Sequence, residues 1–184
     1  MSNRFSQSVI MIKDERDVVE ALYHYYKSVG YYAVKELQLT NKVLNIKEIT
    51  KGACSSVVRI DLCLVDPNLE NIVFIEAENG LWVKHPTQYI GFANYIYLAC
   101  PNIKESTIDN QLEFAEQAGI GVITVGLSEE RRGVVQIREL LQGKRFQVSP
   151  YVKTVVLKMI ERRLSREKKV LKRFLAKKEG EVFV

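Results

Sequence analysis

The stretch SSVVRIDLCLVDPNLENIVFIEAENG at residues 55–80 constrains this chain more than any other. Two apolar, β-branched runs, Val57–Val65 and Ile72–Ala77, flank the turn signal Asp66-Pro67-Asn68, which predicts a β-hairpin. Three carboxylates interrupt these core-like strands: Asp61 in the first, Glu76 and Glu78 on the second. Side chains alternate between faces along a strand, so Glu76 and Glu78 point the same way, and pairing can set Asp61 beside them. Carboxylates that converge inside a buried sheet repel one another and are costly to desolvate. A bound cation is the ordinary way to offset that cost. The competing reading places the three on edge strands or pairs them with Arg59 and Lys35; the apolar flanks weigh against it.

The chain before the hairpin predicts a helix over 13–29, where Val18, Ala21/Leu22, Tyr25/Tyr26 and Val29 recur at helical spacing. Asp14, Glu15 and Asp17 favour its N-terminus and Gly30 ends it. A strand over 31–40, a shorter one over 43–49 and a Lys51-Gly52-Ala53 turn lead into the hairpin. After it, a short helix is expected over 84–93, with Pro86 in its first turn. A strand over 95–99 stopped by Pro101, a helix over 105–118 closed by Gly119, and a buried strand over 120–125 follow. Residues 134–141 read equally as a strand or a short helix. Strands separated by helices imply parallel crossovers in a mixed sheet, with helices on both faces: an α/β sandwich.

Ser149-Pro150 opens a last element over 151–178 that contains no Gly or Pro. Val152, Val155/Val156, Met159/Ile160, Leu164, Leu171 and Phe174/Leu175 form one stripe along it. A continuous helix of that length spans on the order of 40 Å, longer than a small domain is wide. The chain thus divides into an α/β domain over 1–148 and a helical extension over 149–184 that projects or packs on a second copy as a homodimer. The extension also holds the positive charge: residues 153–180 carry 11 Lys/Arg against 3 Asp/Glu, whereas residues 1–152 carry 16 against 18. Such asymmetry points to an anionic partner, nucleic acid first.

Other classes are excluded by what the sequence lacks. No apolar run approaches the roughly 20 residues of a membrane span, and no signal-peptide pattern opens the chain. The cysteines Cys54, Cys63 and Cys100 have no CxxC spacing, against a disulfide framework or a Cys-rich zinc site, so a reducing cytoplasm is expected. His24 and His85 lack HExxH spacing; His24 reads as a helix-face residue, and His85 as a neighbour of Glu78 or a solvated loop residue.

Asp61, fourteen residues, then Glu76-Ala77-Glu78 in a hairpin resembles the PD-(D/E)XK nuclease superfamily, with its restriction-endonuclease-like fold. Glu15-x-x-Val18 followed by Ala21-Leu22 and Gly30-Tyr31 looks like the superfamily's first helix. Gln88 followed by Phe92 resembles its glutamine-plus-aromatic helix motif, and Ala93-Asn94-Tyr95-Ile96-Tyr97-Leu98-Ala99 its helix-to-strand junction. Ala118-Gly119-Ile120-Gly121-Val122 looks like its later buried strand, so the resemblance covers about residues 13–126. It implies a three-layer α/β/α core with a mixed sheet, here with a long basic C-terminal helix, and a metal-dependent nuclease that hydrolyses phosphodiester bonds in DNA.

The resemblance also implies roles. Asp61 and Glu76, with the carbonyl of Ala77, would hold Mg²⁺ or Mn²⁺, and Glu15 would join through water or a second metal, with Glu20 competing for its inward position. The superfamily's usual lysine falls at Glu78, giving a D…E-x-E variant in which Glu78 is a general base or second-metal ligand. Gln88 is a further catalytic candidate, and Lys84 a relocated positive charge. Outside the resemblance, the charge asymmetry of the extension points to Arg162, Arg163, Lys168, Lys169, Lys172 and Arg173 as contacts to the phosphates of nucleic acid. The alternative keeps the fold and drops the chemistry, leaving a nucleic-acid-binding or assembly module.

Overall fold

The computed structural model describes residues 12, 14–40, 57–101, 109–128 and 134–181. The strand predicted over 43–49 and the Lys51-Gly52-Ala53 turn lie outside them. The hairpin forms where its apolar runs place it: β2 (Val57–Val65) pairs antiparallel with β3 (Ile72–Ala77) across the Asp66-Pro67-Asn68 turn. Asp66 closes that turn, its carboxylate accepting from the amides of Glu70 and Asn71 at 2.7 and 3.1 Å. β1 (Tyr32–Thr40) adds to β2 antiparallel, β4 (Tyr95–Pro101) to β3 parallel, β5 (Gly121–Leu127) to β4 parallel, and β6 (Val135–Leu141) to β5 antiparallel. The result is a six-stranded mixed sheet whose spatial order repeats the order along the chain.

Helices cover both faces. α1 (Glu15–Ser28) is capped by Asp14, whose side chain accepts from the Asp17 amide. It lays Val18 and Leu22 on a layer made by Leu62, Leu64, Ile75, Ala99 and Ile123. The opposite face carries Ala115 of α2 (Asp109–Ala118) and Val152, Val156 and Ile160 of α3 (Pro150–Glu181) over Ile60, Phe74, Ile96 and Val122. Buried Asn94 ties this face together: its Oδ1 accepts from the Ile72 amide at 3.0 Å, and its carbonyl accepts from the Phe146 amide at 2.8 Å.

Three expectations are corrected or settled. The helix predicted over 84–93 is a single 3-10 turn, Pro86–Tyr89, because the backbone turns extended at Ile90 and reaches φ +91° at Gly91, which only glycine adopts without strain. β4 runs past the predicted Ala99 and takes in Pro101 as its last residue, paired with Val125. Residues 134–141 resolve to the edge strand β6, whose exposed positions hide the two-residue rhythm.

α3 runs 32 residues, about 48 Å. Pro150 occupies its first position and the Ser149 hydroxyl accepts from the Val152 amide at 3.2 Å. Ser149→Ala is expected to cost about 1 kcal/mol in urea unfolding; a change within the error of the measurement would show that Pro150 alone starts the helix. No helix among the described residues is long and apolar enough to cross a membrane.

Candidate functional site

The candidate site begins at a break in the sheet. The β1–β2 ladder pairs Tyr32 with Val65 through Lys35 with Leu62, and resumes at Leu37 with Ile60, leaving Glu36 and Asp61 out. Glu36 is at φ +52°, and on β2 the alternation of faces slips: Ile60 and Cys63 share one core layer, Leu62 and Leu64 the other. The β2–β3 ladder also ends here, at Leu62 with Ile75. Beyond it the half-buried Asp61 replaces the ladder, its Oδ2 accepting from the Ala77 amide at 3.0 Å. The last residues of β3 stay aligned on the other side, where the Glu78 amide donates to the Ala99 carbonyl at 2.9 Å. Glu76 and Glu78 therefore emerge at a splayed strand end held from both flanks.

Glu76 is 4 % exposed. Its Oε2 lies 2.7 Å from the Tyr89 hydroxyl and its Oε1 3.3 Å from His85 Nδ1. That same Nδ1 lies 2.6 Å from Glu78 Oε1. Glu76 and Glu78 do point the same way, as the alternation predicts, and the residue they meet is His85. The ligand atoms of these three fall within 4.8 Å of one another, a spacing fit for one metal ion.

Electrostatics follow the crowding. Burial first, then the charge of Asp61, pushes the Glu76 carboxyl up to about 7, against the pull of the Tyr89 hydrogen bond and of His85. Asp61 is raised above the usual carboxylate range by burial, opposed by the Ala77 amide and Arg59. For His85, burial pulls downward, but the Glu78 hydrogen bond and the charges of Glu76, Glu78 and Asp61 outweigh it and raise the imidazole. Tyr89 is raised by burial and by the Glu76 charge, so it stays a neutral donor. Its hydroxyl is also 3.0 Å from the Arg59 carbonyl. One proton cannot serve both acceptors. When Glu76 is protonated it donates to Tyr89, which then donates to Arg59.

The remaining sequence candidates distribute around this trio. Asp61 and Glu15 are not in it; Asp61 is turned to the Ala77 amide, and Glu15 Oε1 accepts from Asn79 Nδ2 at 3.1 Å. The two share instead a neighbouring cavity of about 560 Å³, with Glu20, Lys35, Arg59 and Arg163 in its lining. Glu20 is occupied by Lys35 at 2.5 Å. Lys35 and Arg59, the alternative partners for the acidic residues, thus diverge: Lys35 goes to Glu20, and Arg59 acts on Asp61 through its charge. Arg163 brings α3 to the site, while Arg162 and Lys168 are exposed on the same helix. The side chains of Lys169, Lys172 and Arg173 lie outside the described residues.

Gln88 and Lys84 line a second cavity with His85 and Trp82. His85 and Tyr89 carry roles that sequence reasoning does not assign. Their signal is faint: His85 precedes and Tyr89 ends a 3-10 turn whose extent depends on the backbone torsions at Ile90 and Gly91, which local periodicity does not reveal.

No protein-family model matches the chain, and no curated protein matches it in sequence. Among solved structures, the SPO1766 protein of unknown function from Silicibacter pomeroyi matches with a TM-score of 0.58 at 11 % identity, covering 88 % of this chain and 92 % of that one. The likeness is one of fold.

Proposed function

We propose that the chain is a divalent-metal-dependent phosphodiesterase acting on nucleic acid, a nuclease of the PD-(D/E)XK type in its E-x-E form. The observation that carries the reading is the convergence of buried Glu76 with Glu78 and His85 at a splayed strand end, with Asp61 bonded to the adjoining backbone. The donor set tests the metal. Two carboxylates and an imidazole suit a first-row transition ion such as Mn²⁺, whereas Mg²⁺ takes oxygen alone and would use only the carboxylate half. When bound, such an ion polarises the phosphodiester and makes its water more acidic.

The chain's own groups divide the remaining work. Tyr89 holds Glu76 Oε2, which leaves Oε1 for the ion. Glu78, whose Oε1 lies 2.6 Å from His85 Nδ1, would accept the proton of the attacking water, since an Nδ1 that holds the ion cannot share a proton with the carboxylate. Asp61 fixes the Ala77 backbone between the two glutamates.

Incubating wild-type and Glu76→Gln protein with single-stranded, duplex and branched DNA in Mn²⁺, Mg²⁺ or EDTA tests this. Cleavage by the wild type in Mn²⁺ alone or in both metals, absent in EDTA and in the variant, is expected; equal cleavage by the variant would remove Glu76 from the reaction. The basic helix gives a separate prediction. Neutralising Arg162, Arg163, Lys168, Lys169, Lys172 and Arg173 should flatten the slope of log affinity against log salt by about 0.9 for each duplex phosphate that is no longer neutralised. An unchanged slope would take α3 out of the interface.

One observation favours a second reading. His85 Nδ1 reaches both Glu76 at 3.3 Å and Glu78 at 2.6 Å, a closed set of polar contacts that a binding module with no chemistry would also keep.

A further inference from the structure

The turn that returns His85 to the acidic pair also presents Trp82, the chain's single tryptophan. Trp82 is 70 % exposed, yet Leu81 and Val83 on either side of it are buried. Those two aliphatic side chains pin the loop to the core, so the indole faces outward from a fixed base. The backbone is held as well: the Trp82 amide donates to the Gly80 carbonyl at 3.1 Å, and its carbonyl accepts from the His85 amide at 3.1 Å. The indole edge rests on Gly80, where an added Cβ would lie 3.4 Å from Nε1, and most of the ring stays open.

With Lys84, His85 and Gln88, Trp82 lines a cavity of about 370 Å³. His85 belongs to the metal-ligand trio too, so the cavity adjoins the place where a phosphodiester would react. The lining supplies an aromatic face to stack on, an amide with a donor and an acceptor for a base edge, and an ammonium for a phosphate. This combination matches an unpaired nucleobase with its backbone. A base inside a duplex has both faces covered by its neighbours and offers none to the indole.

We propose that Trp82 is a stacking platform for an unpaired nucleobase, so that the strand delivered to the Glu76–Glu78–His85 centre is single-stranded. The inference rests on the phosphodiester reading above and names its substrate class.

The lone tryptophan is its own reporter. In EDTA, where nothing is cut, wild-type protein is titrated with oligothymidylate, with oligouridylate and with a blunt duplex of equal length. Indole emission and the anisotropy of end-labelled strands are followed together. Single strands should quench the emission, the DNA and RNA arms showing which sugar is preferred. Trp82→Ala should weaken single-strand binding by about ten- to a hundredfold, Trp82→Phe should recover part of it, and duplex binding should barely move. Unchanged single-strand affinity in Trp82→Ala, or quenching by the duplex as deep as by the single strands, overturns the proposal. A wild-type protein that stacks the strand through Trp82 but cuts nothing in Mn²⁺ upholds the platform and overturns the cleavage reading instead.

Discussion

Glu76→Gln is expected to abolish the proposed cleavage and, at pH 8 without metal, to stabilise the fold. The substitution keeps the shape of the side chain, and the new amide can donate to the Tyr89 oxygen while Tyr89 donates to the Arg59 carbonyl 3.0 Å away. What disappears is a buried negative charge near Asp61 and Glu78, one that the proposed ion would need and that burial makes costly. The sign of the pH dependence follows. Glu76 has its carboxyl raised from 4.5 to about 7 in the folded chain. Its contribution is therefore complete below 4.5 and lost as pH climbs through about 7. His85, also raised, acts in the same sense.

Urea unfolding in EDTA should thus find wild type and variant nearly equal at pH 4.5, and the variant more stable at pH 8, by roughly 3 kcal/mol if the whole shift is expressed. Mn²⁺ should reverse the order, because it stabilises only the chain that can bind it. A variant that is less stable than wild type at pH 8 without metal would mean that Glu76 is ionised at little cost, and would undo the electrostatic account of the site.

Gly121→Ala should be the most damaging small substitution in the sheet. Gly121 pairs with Tyr97 across β4 and β5, and the Tyr97 ring lies over it. An added Cβ would fall 2.2 Å from Tyr97 Cε1 and 2.8 Å from the Gly143 amide nitrogen. The ring cannot swing away freely, because its hydroxyl donates to Glu139 Oε1 on β6 at 2.8 Å, so that Tyr97 straps three strands together. Gly143 is backbone and has no rotamer to change. The expected cost is about 3 kcal/mol, a fall of roughly 6–12 °C in Tm for a chain of this size. Removing the ring as well, in Tyr97→Ala/Gly121→Ala, should recover only part of the stability, since the clash with Gly143 persists. Full recovery would show that the ring alone is the obstacle; an unaltered Tm in the single variant would show that β4 and β5 part more easily than their ladder implies.

The features legible in the sequence are those written in local periodicity. The hairpin strands appear at Val57–Val65 and Ile72–Ala77 as read, because long β-branched runs around a proline turn admit little else. The shared direction of Glu76 and Glu78 follows from the same rhythm. Where structure depends on a backbone torsion or on partners distant in sequence, legibility fails. Gly91 shortens the expected helix over 84–93 to the turn Pro86–Tyr89. That difference moves the site, since it is this turn that swings His85 and Tyr89 onto the glutamates. The slipped alternation at Asp61 is equally invisible in sequence, for it depends on Glu36 across the ladder. Even β6 is ambiguous for a physical reason: an edge strand with exposed positions carries no alternation to read.

The order of the strands in the sheet has a consequence for synthesis. Because each strand lies beside the one made just before it, no strand has to wait for a later one to be inserted between it and its neighbour. Every residue of the candidate centre, from Asp61 to Tyr89, belongs to one short run of the chain. Emerging from the ribosome, that run is complete before α3 exists, and its contacts are local, so its loops close at low entropic cost. α3 is then laid over a hairpin already paired, and its Val152, Val156 and Ile160 close the layer over Ile60 and Phe74, so truncation before residue 150 should uncover that layer and lower the stability of the whole sheet.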